Sequence, residues 1–367
     1  MRKAYINATS IRSACGDTKQ TLDAIFNKKS SLIEHSGIVP QKTVCIGKFA
    51  VSLSFEELLN ESVDEINVQS NLDNFSNTLL IVGSSVGGMA TTEEVLFRDK
   101  KYDNIDINKH TIDVIASKLN KKYNFLDTRS FSTACTSSSN ALKVAKELIG
   151  YGAYDNILVV GADEICLTTI FGFNSLDILS DEICTPFQKN RKGMNVAEGI
   201  AVLLLQSKVD DGSIELIGAG ASSDAHHIAN PDPTATGAMN AINKALSNAS
   251  LNPDQIDYIN AHGTGTQAND ETEAKAVESI FGHGVAISSS KSNIGHTLGA
   301  AGAIEAVICI EALKRQTLVP QINTSNNERA LNFVDSAKII SMKYVLSNSF
   351  AFGGNNTSLI FGVCDES

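Results

Sequence analysis

The chain has 367 residues, 43% of them hydrophobic and 19% charged. That is enough apolar material to build about two domains, and too much for a disordered chain. Its net charge of −11 argues against a general nucleic-acid binder, and its lack of Trp and only 6 Pro exclude collagen-like or proline-rich architecture.

Apolar runs and turn residues lay out the elements in chain order. Residues 79–85 (LLIVGSS) read as a buried strand with a turn at Gly87-Gly88, and 111–121 carry helical spacing through Ile112, Ile115 and Leu119. Residues 130–134 read as a short strand, 137–150 as a helix stopped by Gly150, and 156–163 and 199–206 as buried strands. After a polar break at 210–212 the rhythm repeats. It gives a strand at 214–221, a helix at 235–249, strands at 257–263 and 287–292, a helix from Leu298 to Leu313, a strand at 346–356 running into a glycine turn, and a last strand at 357–363. The alternation predicts an α/β protein of two similar halves, 1–210 and 211–367.

Seven cysteines contain no CxxC pair, so they read as reduced thiols of a cytoplasmic protein rather than a zinc or disulfide scaffold. Residues 1–13 lack the apolar core of a secretory signal, and no apolar run is long enough to span a membrane.

Four segments carry chemistry. In Thr133-Ala134-Cys135-Thr136-Ser137-Ser138-Ser139 a cysteine falls between a strand and the first turn of a helix. The helix N-terminus there favours a thiolate and offers N–H groups to an oxyanion. Taken alone, Cys135 fits a nucleophile and a small buried thiol equally well. Asn260-Ala261-His262-Gly263-Thr264-Gly265-Thr266 and Ser290-Lys291-Ser292-Asn293-Ile294-Gly295-His296 each place a histidine in a glycine-bearing turn, in a chain with only 7 His. The second is followed by Gly299, Ala300, Ala301 and Gly302, small enough for close helix packing. In the fourth, Asn348–Asn356, adjacent glycines let backbone approach a ligand beside Phe350 and Phe352. Three weaker signals are discounted. Gly218-Ala219-Gly220 lacks the third glycine of a dinucleotide fingerprint, His226-His227 lacks metal-pair spacing, and Asp270 and Glu273 read as residues starting a helix and complementing its dipole.

Together the four segments resemble the elongating, Cys-His-His type of β-ketoacyl-ACP synthase over nearly the whole chain. TACTSSS matches the nucleophile motif, NAHGTGT and KSNIGH the two histidine motifs, and NSFAFGGNN the C-terminal glycine loop. Pro186-Phe187, Arg191, Gly193 and Glu198-Gly199 match the stretch before the core strand. The resemblance implies a thiolase-like five-layer α-β-α-β-α fold from two duplicated halves. It implies Cys135 as nucleophile, His262 and His296 as stabilisers of an enolate, Lys291 as the residue tuning His296, and the N–H groups of Cys135 and Phe352 as an oxyanion hole. Thr264 and Thr266 match positions on the phosphopantetheine arm, Val86 and Phe173 match the acyl tunnel, and Phe350 and Phe352 its gate. Asn260, Glu305 and Asn348 match a structural monovalent-cation site of some relatives. Arg98, Lys100 and Lys101 are candidates for docking an acidic carrier, or equally a solvated charged face.

No cofactor bound by the enzyme is implied, because substrates arrive on the 4′-phosphopantetheine of acyl carrier protein. The implied assembly is a homodimer, or a heterodimer with a paralogous synthase subunit. Two departures, a shortened Ile178–Pro186 segment and Asp177 in place of a basic carrier contact, point to a specialised polyene or polyketide-like pathway beside the fatty-acid one. The other readings of the same fold are a priming or acyl-transfer enzyme and a non-condensing partner subunit. The first is disfavoured by the histidine pair and the second by Cys135.

Overall fold

The computed structural model describes all residues except 71, 73 and 365–367. The first half contains β1 (Tyr5–Arg12), α1 (Thr18–Phe26), β2 (Ile33–Val39), β3 (Lys42–Ile46), α2 (Phe55–Ser70), β4 (Thr78–Gly83), α3 (Met89–Asp99), α4 (Val114–Tyr123), β5 (Asp127–Phe131), α5 (Ser137–Gly150), β6 (Asn156–Asp163), α6 (Leu167–Ser175) and β7 (Gly199–Gln206). The second contains β8 (Ile214–Ser223), α7 (Thr236–Ala249), β9 (Tyr258–Asn260), α8 (Gln267–Phe281), β10 (Ala286–Ser288), α9 (Lys291–Ile294), α10 (Ala301–Arg315), β11 (Asn332–Phe333), β12 (Tyr344–Phe350) and β13 (Asn355–Val363).

The strand order β11-β10-β9-β12-β13-β8-β1-β7-β6-β4-β5 is close to a mirror image of itself about the β8–β1 junction. In the first half β4 pairs parallel with β5 and β6, then β6 pairs antiparallel with β7 and β7 with β1. In the second, β9 pairs parallel with β10 and β12, then β12 pairs antiparallel with β13 and β13 with β8. Only Tyr5–Glu215 and Ile6–Ile214 join the two half-sheets, so each half-sheet can bury both faces.

Five layers result. On the outer face of the first half-sheet, Leu59, Val63 and Ile66 of α2 and Ile115 and Leu119 of α4 pack on Leu80, Val82, Leu158 and Val202. On the outer face of the second, Ile242 and Leu246 of α7 and Ala276 and Val277 of α8 pack on Ile259, Leu346 and Ile360. Between the sheets lie α5 and α10. α10 is apolar nearly all round, with only Glu311, Lys314 and Arg315 not buried, as a helix enclosed by other layers should be.

The two central helices touch where side chains vanish. A Cβ on Gly302 would lie 1.8 Å from Ser139 Oγ, a hydroxyl already hydrogen-bonded to Ser349 at 2.7 Å. Gly302→Ala is therefore expected to destabilise the protein by about 1–3 kcal/mol through overpacking, read as a lowered thermal midpoint. An unchanged midpoint would show that the helices are free to separate.

α5 has the expected bounds, Ser137–Gly150, with Tyr151 as its cap and Gly152 (φ 77) two residues beyond its end. Several other local expectations are corrected. The strand expected at 130–134 ends at Phe131. The strands expected at 257–263 and 287–292 are only three residues long, Tyr258–Asn260 and Ala286–Ser288. Beyond them the chain turns, and Lys291 opens the one-turn α9. The helix expected from Leu298 starts at Ala301 after a tight turn over Leu298–Ala300. Gly218 and Gly220 have no ligand role here; the backbone of α7 packs directly onto them.

Candidate active site

Every motif residue follows the carboxyl end of a parallel strand, the usual place for a site in an α/β sheet. Cys135 follows β5, His262 follows β9, Lys291 and His296 follow β10, and Phe352 follows β12. The mirror order makes β5-turn-α5 and β10-turn-α10 equivalent units, so Cys135 and His296 meet at the adjacent N-terminal ends of the two central helices.

The Cys135 turn is strained and held by its own hydroxyls. Ala134 has φ 52, a left-handed conformation that costs a non-glycine residue roughly 1–2 kcal/mol. Thr136 Oγ1 donates to the Thr133 carbonyl (2.7 Å), Ser137 Oγ donates to the Ala134 carbonyl (2.6 Å), and the Thr133 N–H donates to Ser137 Oγ (2.9 Å). This is the physical content of the T-A-C-T-S run. Burial pushes the Cys135 thiol up to about 12, opposed first by the charge of Lys291. Desolvation thus opposes the preference for thiolate that the helix N-terminus provides.

His296 Nε2 lies 3.1 Å from Cys135 Sγ, and the Leu298 N–H donates to His296 Nδ1 at 3.3 Å. An Nδ1 that accepts leaves the ring proton on Nε2, pointing at the sulfur. The Lys291 ammonium sits 3.4 Å from His262 Nδ1 and donates to the His262 carbonyl at 2.5 Å. An ammonium can only donate, so His262 also carries its proton on Nε2. The two rings meet edge to face with centroids 5.2 Å apart. Burial, with the charge of Lys291 next, holds both imidazoles well below the ordinary histidine range. They are neutral donors.

Lys291 thus contacts His262 and acts on His296 through its charge, the electrostatic half of the role expected from the motif. Its counter-ion is Glu305, and both side chains are buried.

The sulfur and both rings line a cavity of about 280 Å³, together with Phe173, Thr264, Thr266, Phe350 and Phe352. Phe352 packs edge-on against Phe173 (5.9 Å between centroids), and Phe350 lies 6.3 Å from His262. Thr264 and Thr266 share a hydroxyl hydrogen bond of 2.9 Å. Val86 is not in the lining; it is buried behind, with Ile165, Ile170 and Leu298. Arg98, Lys100 and Lys101 lie at the end of α3, away from the lining, with Arg98 bound to Asp99 at 2.7 Å.

Two carboxylates set aside as helix starters, of which Asp270 does lie in the first turn of α8, also hold the His262 loop. Glu273 accepts from the N–H groups of His262 (2.9 Å) and Gly263 (2.8 Å) and from Asn348 Nδ2 (3.2 Å). Asp270 accepts from the N–H groups of Phe187 (2.7 Å) and Gly265 (3.2 Å) and faces Arg191. Burial raises Glu273 to about 7 against the pull of those amides. Their signal in the sequence was an acid five and eight residues after Gly265, which a helix start explains equally well. Asn260 Oδ1 and Nδ2 and Glu305 Oε2 are buried without a hydrogen-bond partner, whereas Asn348 Oδ1 accepts from Ser358.

A five-layer fold with a buried cysteine at a helix N-terminus, faced by two neutral imidazoles, defines a condensing enzyme of the thiolase fold. Family models for the N-terminal and C-terminal domains of beta-ketoacyl synthase match residues 35–211 and 214–325. The chain is 32% identical over 330 residues to 3-oxoacyl-[acyl-carrier-protein] synthase 2 of Coxiella burnetii, covering 83% of this chain and 80% of that protein. It is 33% identical over 353 residues to a 3-oxoacyl-[acyl-carrier-protein] synthase homolog of Saccharomyces cerevisiae, covering 88% and 80%. It superposes with a TM-score of 0.91 and 33% identity on a structure of a ketosynthase in complex with its chain length factor from Xenorhabdus doucetiae, covering 99% of this chain and 98% of that one. A beta-ketoacyl synthase from Burkholderia phymatum gives a TM-score of 0.90 at 26% identity, covering 99% and 100%. The chain belongs to the β-ketoacyl synthase family of condensing acyltransferases.

Proposed function

We propose that the protein is a 3-oxoacyl-ACP synthase that joins an acyl group on Cys135 to malonyl-ACP with loss of carbon dioxide. The observation that carries this reading is the convergence of the His262 and His296 Nε2–H donors on the cavity that holds the sulfur. In the first step Cys135 Sγ attacks the acyl thioester; the C–S bond to the carrier breaks, the thiol proton passes to the departing pantetheine sulfur, and free carrier leaves. In the second, both imidazoles donate to the thioester oxygen of malonyl-ACP. The C–CO₂ bond breaks, and its electron pair becomes the enolate they stabilise. That carbon attacks the acyl-Cys carbonyl, the cysteine sulfur leaves and takes a proton from water, and 3-ketoacyl-ACP departs.

The oxyanion of both tetrahedral intermediates would sit between the N–H groups of Cys135 and Phe352. The Ala351 and Gly353 amides donate to Asn355 (2.8 Å) and Ile228 (2.9 Å) carbonyls, while no turn or loop carbonyl among the described residues accepts from Phe352. The phosphopantetheine arm would run past Thr264 and Thr266, and Phe173, Phe350 and Phe352 would gate the acyl path, with Val86 behind it. In this reading residues 1–210 supply the nucleophile and 211–367 both imidazoles. A monovalent cation would satisfy Asn260 Oδ1 and Glu305 Oε2, with Asn348 Oδ1 offering its second lone pair; its role would be structural.

We also infer pairing with a second synthase chain, identical or paralogous. The edge strand β5 has a single strand neighbour, β4, and no residue of α3 is buried. The superposition on a ketosynthase solved with its chain length factor favours the paralogous partner. No helix among the described residues is long and apolar enough to cross a membrane; we place the enzyme in the cytoplasm, with acyl carrier protein docking at the cavity mouth and Arg98, Lys100 and Lys101 as its outlying contacts. The test is to supply acyl-ACP and malonyl-ACP, alone and with candidate paralogues, and measure carbon dioxide and 3-ketoacyl-ACP. Acyl loading with neither product would leave a priming or transfer enzyme.

A further inference from the structure

The last residue of β6 ends an otherwise apolar strand with a carboxylate. Asp163 is 1% exposed and makes no contact with the cavity. It accepts from four groups on two different loops. From the turn after β4 come Ser84 Oγ (2.5 Å), the Ser85 N–H (2.9 Å) and the Val86 N–H (2.9 Å). From the turn before α10 comes the Gly299 N–H (2.6 Å). A buried carboxylate with main-chain donors on both sides is a rigid staple, since charge-assisted bonds are the strong ones and burial penalises leaving any of them unmade.

What it staples is the tautomer of His296. The residue before Gly299 is Leu298, whose N–H donates to His296 Nδ1 at 3.3 Å. Leu298 has φ 54, a conformation a leucine holds only when its surroundings impose it. That dihedral sends two successive amides in two directions, one to His296 and the next to Asp163. The fit admits no side chain, because a Cβ on Gly299 would lie 2.6 Å from Ser85 N and 2.8 Å from Asp163 Oδ2.

We propose that Asp163 is a positioning residue for the condensation, holding the Leu298 turn so that His296 keeps its proton on Nε2, while the same carboxylate fixes the Ser84–Val86 turn behind the cavity. The proposal rests on the reading of His296 as a donor to the malonyl thioester.

Asp163→Asn keeps the size but turns an NH₂ toward main-chain donors. Acyl loading of Cys135 from acyl-ACP is expected to stay within about threefold of wild type, and condensation with malonyl-ACP to fall about 10- to 100-fold, by analogy with the loss of an outer partner that orients a metal-bound imidazole. In ¹⁵N-histidine spectra the wild-type His296 ring should be the single Nε2–H tautomer, and the variant a mixture. Gly299→Ala, which pries the staple apart with the charge of Asp163 intact, should reproduce both changes, and it keeps the test decisive if Asp163→Asn folds poorly. Unchanged condensation with an unchanged tautomer in a folded variant would overturn the proposal, as would equal loss of loading and condensation. A wild type that loads but never condenses would sink the functional reading instead, and the tautomer comparison would still decide the role of Asp163.

Discussion

Replacing His296 with alanine will leave Cys135 able to take an acyl group and will stop carbon–carbon bond formation. His262→Ala will do the same. In the proposed mechanism, loading needs the sulfur and an oxyanion hole made of backbone, while decarboxylation needs donors on the malonyl thioester oxygen, the role given to the two neutral rings. Removing one such donor costs about 10²–10³ in rate. Because the rings act on one oxygen, the double variant should lose less than the product of the two single losses. The check is loading by mass alongside carbon dioxide release for each variant. If His296→Ala lost loading as severely as condensation, His296 would be the base that activates the thiol, and the tautomer assigned from Leu298 would be wrong.

The second large effect is on stability. Lys291→Ala removes the counter-ion of Glu305 in a fully buried pair, and stranding a buried charge costs about 3–5 kcal/mol. Lys291→Met combined with Glu305→Gln should recover most of that loss, since both charges then vanish together. Condensation should not recover with it, because His262 Nδ1 has lost the ammonium that sets its tautomer. Chemical denaturation and the condensation rate, measured on the single and double variants, separate the two roles. A single variant as stable as wild type would mean that water reaches Glu305.

Much of this site was legible because each reactive side chain sits on a glycine-bearing or hydroxyl-rich turn at the end of an apolar run. β6 and β7 were read to the residue, since continuous Ile, Leu and Val runs have few alternatives. The stretch Ile287–Ser292 was read as a strand throughout, but the strand ends at Ser288. Ser288, Ser289, Ser290, Lys291 and Ser292 are all buried, so polarity no longer marks the solvent side, and the turn is fixed by distant partners such as the Gly263 carbonyl and Gln321.

Long-range pairing hid other features as well. Lys291 meets the His262 carbonyl 29 residues away and Glu305 14 residues away, spacings no local pattern encodes. Asp163 reaches Gly299 across 136 residues; its only trace in the sequence is an acid closing the run NILVVGA. A helix N-terminus is a local signal, but the burial that raises the thiol belongs to the whole fold.

Intact-mass measurement of the protein and of Cys135→Ala, incubated with acyl-ACPs of several chain lengths and then with malonyl-ACP, tests the central claim most directly. The account predicts that only the wild type gains the acyl mass, and that it loses that mass on adding malonyl-ACP as 3-ketoacyl-ACP appears. The best-loaded chain would identify the acyl group the cavity accepts. An acyl mass on Cys135→Ala, or none on wild type even with paralogous subunits present, would contradict it.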